Sequence, residues 1–353
     1  MTGKRYGRHG NRAAAHRGRP VVAVVAARVV AVVVAAALIV AGAGVAVSAR
    51  MGWLPWRAST AGGVSHAAAS TDAATADGSA AGPSHGALSR SSAPTPSANI
   101  ARQRDMDALG ESIRGRIAGY QGTWQVYVED LASGASTSID SHVGYAASVI
   151  KLYVMLAVFQ RIADGALAED SSIDQLLTQM ITVSSNEATN SLISTLGGGD
   201  MNAGFAQVNE IAARYGFKES HIDQALGVVD VDQSHKTTTV DDAGRFMAAV
   251  YWGGLVSKDA SRRMLDLLLG QTRRSKIPAG VPAGVTVANK TGENTGVEND
   301  AAIVFAGSDT SAGMDSTAAQ GDYVLVVMTS DVSSAAAQAS IRDLSALVWQ
   351  TLQ

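Results

Sequence analysis

The sequence predicts an α+β domain of the three-layer α/β/α type, with one antiparallel sheet assembled from both ends of the domain around an all-helical insert. Three observations carry this reading. Strand-like alternation occurs at Thr123–Asp130 and Ser136–Ile139, then returns only at Val285–Lys290, Ala301–Phe305 and Tyr323–Thr329. From Ser148 to about Leu269 the pattern is helical, with breaks at Gly197–Gly199 and Gly253–Gly254. Helix-like segments flank the whole, at Arg102–Tyr120 and Ser334–Leu352. Strands so far apart in sequence must pair across the insert.

N-terminal to this domain the chain changes character. Residues 1–28 are basic, and the first 50 residues carry eight Lys or Arg and no acid. Val29–Ala49 is a run of 21 uncharged residues rich in Val and Ala, long enough to cross a bilayer core. The cations before it keep the N-terminus cytoplasmic and put the rest of the chain outside. The expectation for residues 29–49 is therefore a single-pass cell-membrane anchor with an extracellular domain. Val47-Ser48-Ala49 also resembles a cleavage site, and a cut there would release a secreted protein. Residues 50–100 are expected to be a tether, because Ala58–Asn99 has almost no bulky apolar residue with which to offset ordering entropy. Residues 101–353 are expected to fold as one monomeric domain. Its 18 basic and 29 acidic residues give a formal charge of −11, which excludes a nucleic-acid backbone as partner. Cysteine is absent, so no thiolate metal site can form.

Three short stretches can carry chemistry. In Gly144–Gln160, Lys151 is the one charge in an apolar run. Burying an ammonium is costly unless it is paired or loses its proton. Ser148 lies three residues earlier, on the same helical face, where a helix begins. The pair reads either as a serine nucleophile activated by a lysine of lowered pKa, or as a capping serine beside a snorkelling lysine. In Ile181–Asn186, Ser184 can relay a proton and Asn186 can hold an amide; a polar helix connection would look the same. In Val287–Gly292, a strand ends in Lys290, Thr291 and Gly292, which suits carboxylate binding with close backbone approach. A solvated strand end is the alternative.

Taken together, Ser148–Lys151, Ser184–Asn186 and Lys290–Gly292 stand in the order and approximate spacing of the serine β-lactamase and penicillin-binding protein superfamily. The chain resembles its class A-like branch over residues 101–353. Further matches are MITVSSNEATNSLI at Met180–Ile193, TTTVDDAGRFM at Thr237–Met247 and IPAGVP at Ile277–Pro282. The resemblance implies that Ser148 attacks an amide or lactam carbonyl with Lys151 as base, while Ser184 passes the proton on and Asn186 holds the substrate's side-chain amide. It further implies that Lys290 and Thr291 bind the substrate carboxylate. The N–H groups of Ser148 and Glu293 would form the oxyanion hole. It implies a β-lactam or a cell-wall peptide as substrate, and no metal or organic cofactor.

The second half-reaction is less well equipped. Class A enzymes carry a Glu, a Leu three residues on and then an Asn, upstream of the Thr-rich segment. Here the corresponding positions hold Asp223, Leu226 and Gly227. An aspartate is one methylene shorter, and such misplacement of a base can cost on the order of a hundredfold. The Arg–Asp pair that usually staples this loop is replaced by His221 and Lys236, and Glu298 stands where an arginine often binds the substrate carboxylate. Asp223 is therefore expected either to serve deacylation or to be a solvated loop carboxylate. The activities expected are β-lactam hydrolysis, D-alanyl peptidase or amidase action, or penicillin sensing without efficient release.

Overall fold

The structure, a computed structural model, describes residues 96–228, 232–315 and 318–353, together with Met1 and Gly3. The expected basic segment, anchor and most of the tether lie outside these residues. Among the described residues no helix is long and apolar enough to cross a membrane.

The first helix, α1, runs from Pro96 to Ile117, starting six residues before the expected Arg102. Proline near a helix start costs nothing, because its missing N–H would be unpaired there anyway. The main sheet is built from β1 (Thr123–Asp130), β2 (Ser136–Ile139), β6 (Thr286–Asn294), β7 (Val297–Phe305) and β8 (Tyr323–Ser330). Its order is β2-β1-β8-β7-β6, and every neighbouring pair is antiparallel. The sheet is thus assembled from both ends of the domain, as expected. Gly134, at φ +71°, supplies the left-handed turn before β2.

Between β2 and β6 come six helices: α2 (Lys151–Ala163), α3 (Ser171–Thr182), α4 (Asn186–Leu196), α5 (Met201–Arg214), α6 (Val240–Tyr251) and α7 (Lys258–Leu269). The chain closes with α8 (Ser334–Leu352). A second, small sheet is formed by β3 (Gly144–Tyr145), β4 (His221–Ile222) and β5 (Lys236–Thr238), in the order β3-β5-β4. These strands are two or three residues long, too short for an alternating pattern to be read from sequence.

Alternation along the central strands separates two cores. Val324 and Val326 face the insert with Ala301 and Ile303. Leu325 and Val327 face α1 and α8, packing with Met106, Leu109, Ile341 and Leu344. This is the three-layer arrangement. Helix α2 lies deepest, with every residue from Lys151 to Gln160 buried. A helix apolar on all sides belongs in such a place. It also fixes the position of the residues at its N-terminus, where the candidate chemistry sits.

Candidate active site

Ser148 lies in a 3₁₀ turn, Ala147–Ile150, that leads directly into α2. The first N–H groups of such a turn lack acceptors within it. Ala147 before it is held at φ +47°, a conformation that costs a non-glycine residue of order 1–3 kcal/mol. The surroundings maintain it from three directions. Ala146 N–H donates to Lys236 O at 2.8 Å. Asn299 Nδ2 on β7 donates to Tyr145 O at 2.9 Å and to Ala146 O at 3.3 Å. On β6, a Cβ added to Gly292 would lie 2.8 Å from Ala146 O and 3.1 Å from Ser148 N, so only glycine lets that strand come so close. Unlike Lys151, Ser148 is partly exposed.

Lys151, Ser184 and Lys290 converge beside it. Lys151 is fully buried, and its ammonium donates to Ser184 O at 2.6 Å, Asn186 Oδ1 at 2.8 Å and Ser184 Oγ at 3.2 Å. Lys290, also fully buried, donates to Ser184 Oγ at 2.9 Å and to Thr291 O at 2.7 Å. One hydroxyl is therefore bridged between two buried amines. Ser184 is held at φ +61° between α3 and α4, where the Ser185 hydroxyl caps α4 by accepting from Ala188 N–H at 3.1 Å.

Burial pushes the Lys151 pKa down to about 7, with the Arg273 cation adding to the effect and the Glu187 and Glu293 carboxylates opposing it. Burial and then the neighbouring Lys151 charge hold Lys290 well below the ordinary lysine range. The charge on Lys151 thus discourages protonation of Lys290. Thr291 Oγ1 is buried and, apart from its contact with the Glu293 carboxylate, has no hydrogen-bond partner among the described residues, which leaves a hydroxyl for a ligand to engage. Glu293 is exposed at 23% of its side chain and pairs with Arg273 at 2.5 Å and Lys276 at 3.0 Å. Burial works against its charge, but these two cations outweigh it and keep the carboxyl below its usual range.

Among the described residues Asp223 makes no hydrogen bond or ion pair with this cluster. Its carboxylate faces His235 Nδ1 at 2.7 Å and His221 Nε2 at 3.4 Å, with 49% of the side chain exposed. Burial opposes its ionisation, and the hydrogen bonds from His235 and His221 prevail and hold it below the ordinary aspartate range. The loop is fastened elsewhere. Asn190 Nδ2 donates to Leu226 O at 3.0 Å while Leu226 N–H donates to Asn190 Oδ1 at 2.9 Å, and Lys236 Nζ donates to Gln224 Oε1 at 2.7 Å. Gly227 has φ +84°, and a Cβ there would lie 3.3 Å from Asn186 Nδ2. A side chain at that position would press on Asn186.

Glu298 does not reach the site as a stand-in for arginine. It is buried, ion-paired with Lys276 at 2.8 Å and hydrogen-bonded by Ser334 of α8. The residues that sequence reasoning missed are Arg273, Lys276 and Asn299. Arg273 and Lys276 stand in a cationic run, Arg273-Arg274-Ser275-Lys276, that reads most simply as a solvated loop. Asn299 carries no local signal, since its partners lie 154 and 153 residues away. Among the described residues no group of three or more His, Asp and Glu could hold a metal ion.

The chain thus brings together a partly exposed serine at a strained helix entry, two buried amines around a second serine, and a glycine-edged strand. The chain belongs to the beta-lactamase enzyme family, whose profile matches residues 108–352. It is 26% identical over 153 residues to a beta-lactamase of Proteus vulgaris, covering 42% of this chain and 55% of that one. It is 31% identical over 139 residues to the beta-lactamase FAR-1 of Nocardia farcinica, covering 38% of this chain and 42% of that one. The matches thus span about half the length of these curated relatives. Among solved structures it is similar to PBP-A, with 25% identity, a TM-score of 0.58, and coverage of 69% of this chain and 95% of that one. A mutant of PBP-A has been solved as an acyl-enzyme complex with penicillin G. An ancestral class A β-lactamase, 22% identical at a TM-score of 0.57 and covering 69% of this chain and 99% of that one, shares the fold.

Proposed function

We propose that the protein is a serine hydrolase that is acylated at Ser148 by β-lactams and hydrolyses their amide bond. The observation that carries this is the Ser184 hydroxyl bridged between Lys151 and Lys290 at 3.2 and 2.9 Å. With its pKa near 7, Lys151 has a large neutral fraction at neutral pH and can accept the Ser148 proton. The Ser148 oxygen then bonds to the lactam carbon, the carbonyl oxygen gains charge, and the N–H groups of Ser148 and Glu293 stabilise it. As the C–N bond breaks, the proton passes through Ser184 to the leaving nitrogen. Asn186 holds the substrate's side-chain amide, and Lys290 with the buried Thr291 hydroxyl binds its carboxylate.

Water must then cleave the ester to restore Ser148. Asp223 is the loop carboxylate assigned to this step, and its engagement by two histidines supports slow release. That arrangement and the similarity to PBP-A favour a second reading, in which the same acylation serves a D-alanyl peptidase acting on cell-wall peptides. Both substrates lie outside the cytoplasm, in keeping with an exported chain anchored through Val29–Ala49 or released by cleavage after it. The test is to mix full-length protein with a chromogenic cephalosporin and follow colour and covalent mass together. Steady colour release supports hydrolysis, a burst that stalls as an adduct supports the peptidase, and no adduct rejects acylation by β-lactams.

A further inference from the structure

Four lysines of the described domain are buried. Lys151 and Lys290 belong to the site and Lys236 holds Gln224, which leaves Lys276 without a part in the chemistry above. It is fully buried just before the Ile277–Ala279 turn, and its ammonium touches both strands that build the site. On β6 it lies 3.0 Å from Glu293 Oε1 and donates to Gly292 O at 3.4 Å. On β7 it lies 2.8 Å from Glu298 Oε2 and donates to Asn299 O at 2.8 Å. Asp300, the other carboxylate close by, is taken up by Ile277 N–H at 3.0 Å and Asn289 Nδ2 at 2.9 Å.

These contacts matter because of what shares their peptide units. Gly292 C=O and Glu293 N–H belong to one planar peptide and point in opposite directions. A cation at the carbonyl end fixes that plane and polarises the N–H at the other end. Gly292 also pairs with Asn299 across the ladder, and the Asn299 amide holds Tyr145 O and Ala146 O just ahead of Ser148. One ammonium therefore braces the segments that carry both oxyanion donors. The Glu293 carboxylate grows from the same residue as one donor. Left free, it would add negative charge where the oxyanion develops, and Lys276 with Arg273 holds it.

We infer that Lys276 is a positioning residue for the oxyanion site, fixing the Gly292–Glu293 peptide and keeping the Glu293 carboxylate clear of the acylation centre. The inference rests on acyl transfer at Ser148 as proposed above. A buried ion pair of purely structural use could be exchanged for neutral groups with little effect on rate, and that difference is testable.

The test measures the acylation rate constant and KM for a chromogenic cephalosporin, with the melting temperature, in full-length protein. Lys276→Met alone would strand the buried Glu298 and the half-buried Glu293 carboxylates, so the informative variants are Lys276→Met with Glu298→Gln and Lys276→Met with Glu293→Gln. Loss of a whole oxyanion donor costs about 10²–10³-fold, so a donor retained but misaimed should cost roughly tenfold. The expected result is that fall in the first variant at little-changed KM, with partial recovery in the second, where the repelling carboxylate is gone. A first variant that melts like the wild type and acylates within about twofold of it overturns the inference while leaving Ser148 chemistry intact. So does a loss that Glu293→Gln does not relieve. If wild-type protein is not acylated at all, the inference falls with the function on which it rests.

Discussion

Replacing Lys151 with methionine should make the protein more stable while abolishing rapid acylation. In an unfolded chain the amine titrates at its ordinary 10.5, whereas in the folded protein burial brings it to about 7. The interval is about 3.5 pH units, and each unit is worth about 1.4 kcal/mol. Carrying the charged lysine below pH 7 therefore costs the fold about 5 kcal/mol, a net figure in which the contacts to Ser184 and Asn186 are already counted. The sign comes from proton counts. Between pH 7 and 10.5 the unfolded chain binds one more proton at this site than the folded one, so stability rises with pH across that window. Above it both forms are neutral and the cost vanishes. Urea denaturation at intervals from pH 6.5 to 10 would measure the effect. The stability of Lys151→Met minus that of wild type should be several kcal/mol in favour of the variant near neutrality, shrinking by up to about 1.4 kcal/mol per pH unit as pH rises. A difference that stays constant with pH would refute the claim that Lys151 is held largely neutral by burial.

Three further outcomes are expected from the same geometry. The acylation rate should climb with pH and level off, with its midpoint near the Lys151 value of about 7, because the neutral amine is the base; a flat rate from pH 5.5 to 8.5 would contradict that role. Gly292→Ala would place a methyl carbon 2.8 Å from Ala146 O, so acylation should fall by about 10²-fold, the cost of a misplaced catalytic group, while stability measured by thermal melting changes by only about 1–3 kcal/mol. Asp223→Asn should leave the acylation burst intact and slow release of the acyl group, as followed by intact mass over time. Unchanged release would show that Asp223 only fastens the loop to His221 and His235.

The sheet and the helical insert were legible because β1, β7 and β8 alternate between two cores and α2 is apolar on all sides, so their residues report burial directly. Lys151 was legible for the same reason, as a charge in a run where none is tolerated without cause. Ser184 and Lys290 gained meaning only through their shared order with Ser148, since neither contrasts with its local surroundings. Closure of the site by tertiary contact left no such trace in the sequence. Lys276 looks solvated beside two arginines, yet it is a buried cation against Gly292 and Glu293 of β6. Glu298 looked like a substrate-facing residue and instead turns inward to Lys276 and Ser334. The Asp223 loop was located by its distance from Thr237, with Leu226 as a supporting match, but the direction of the Asp223 side chain depends on His235, twelve residues later, and no local pattern encodes that. The strands of the small sheet share only two residue pairs at each junction, below the length at which periodicity exists.

The proposed chemistry turns on Ser148 as the residue that is acylated, and one measurement addresses that directly. Full-length protein and its Ser148→Ala variant are incubated with penicillin G, and the intact mass and modified peptide are read by mass spectrometry. One penicilloyl group is expected on the wild type, located on Ser148, and none on the variant. A wild-type chain that stays unmodified, or a variant modified as readily as the wild type, would contradict the assignment of Ser148 as nucleophile.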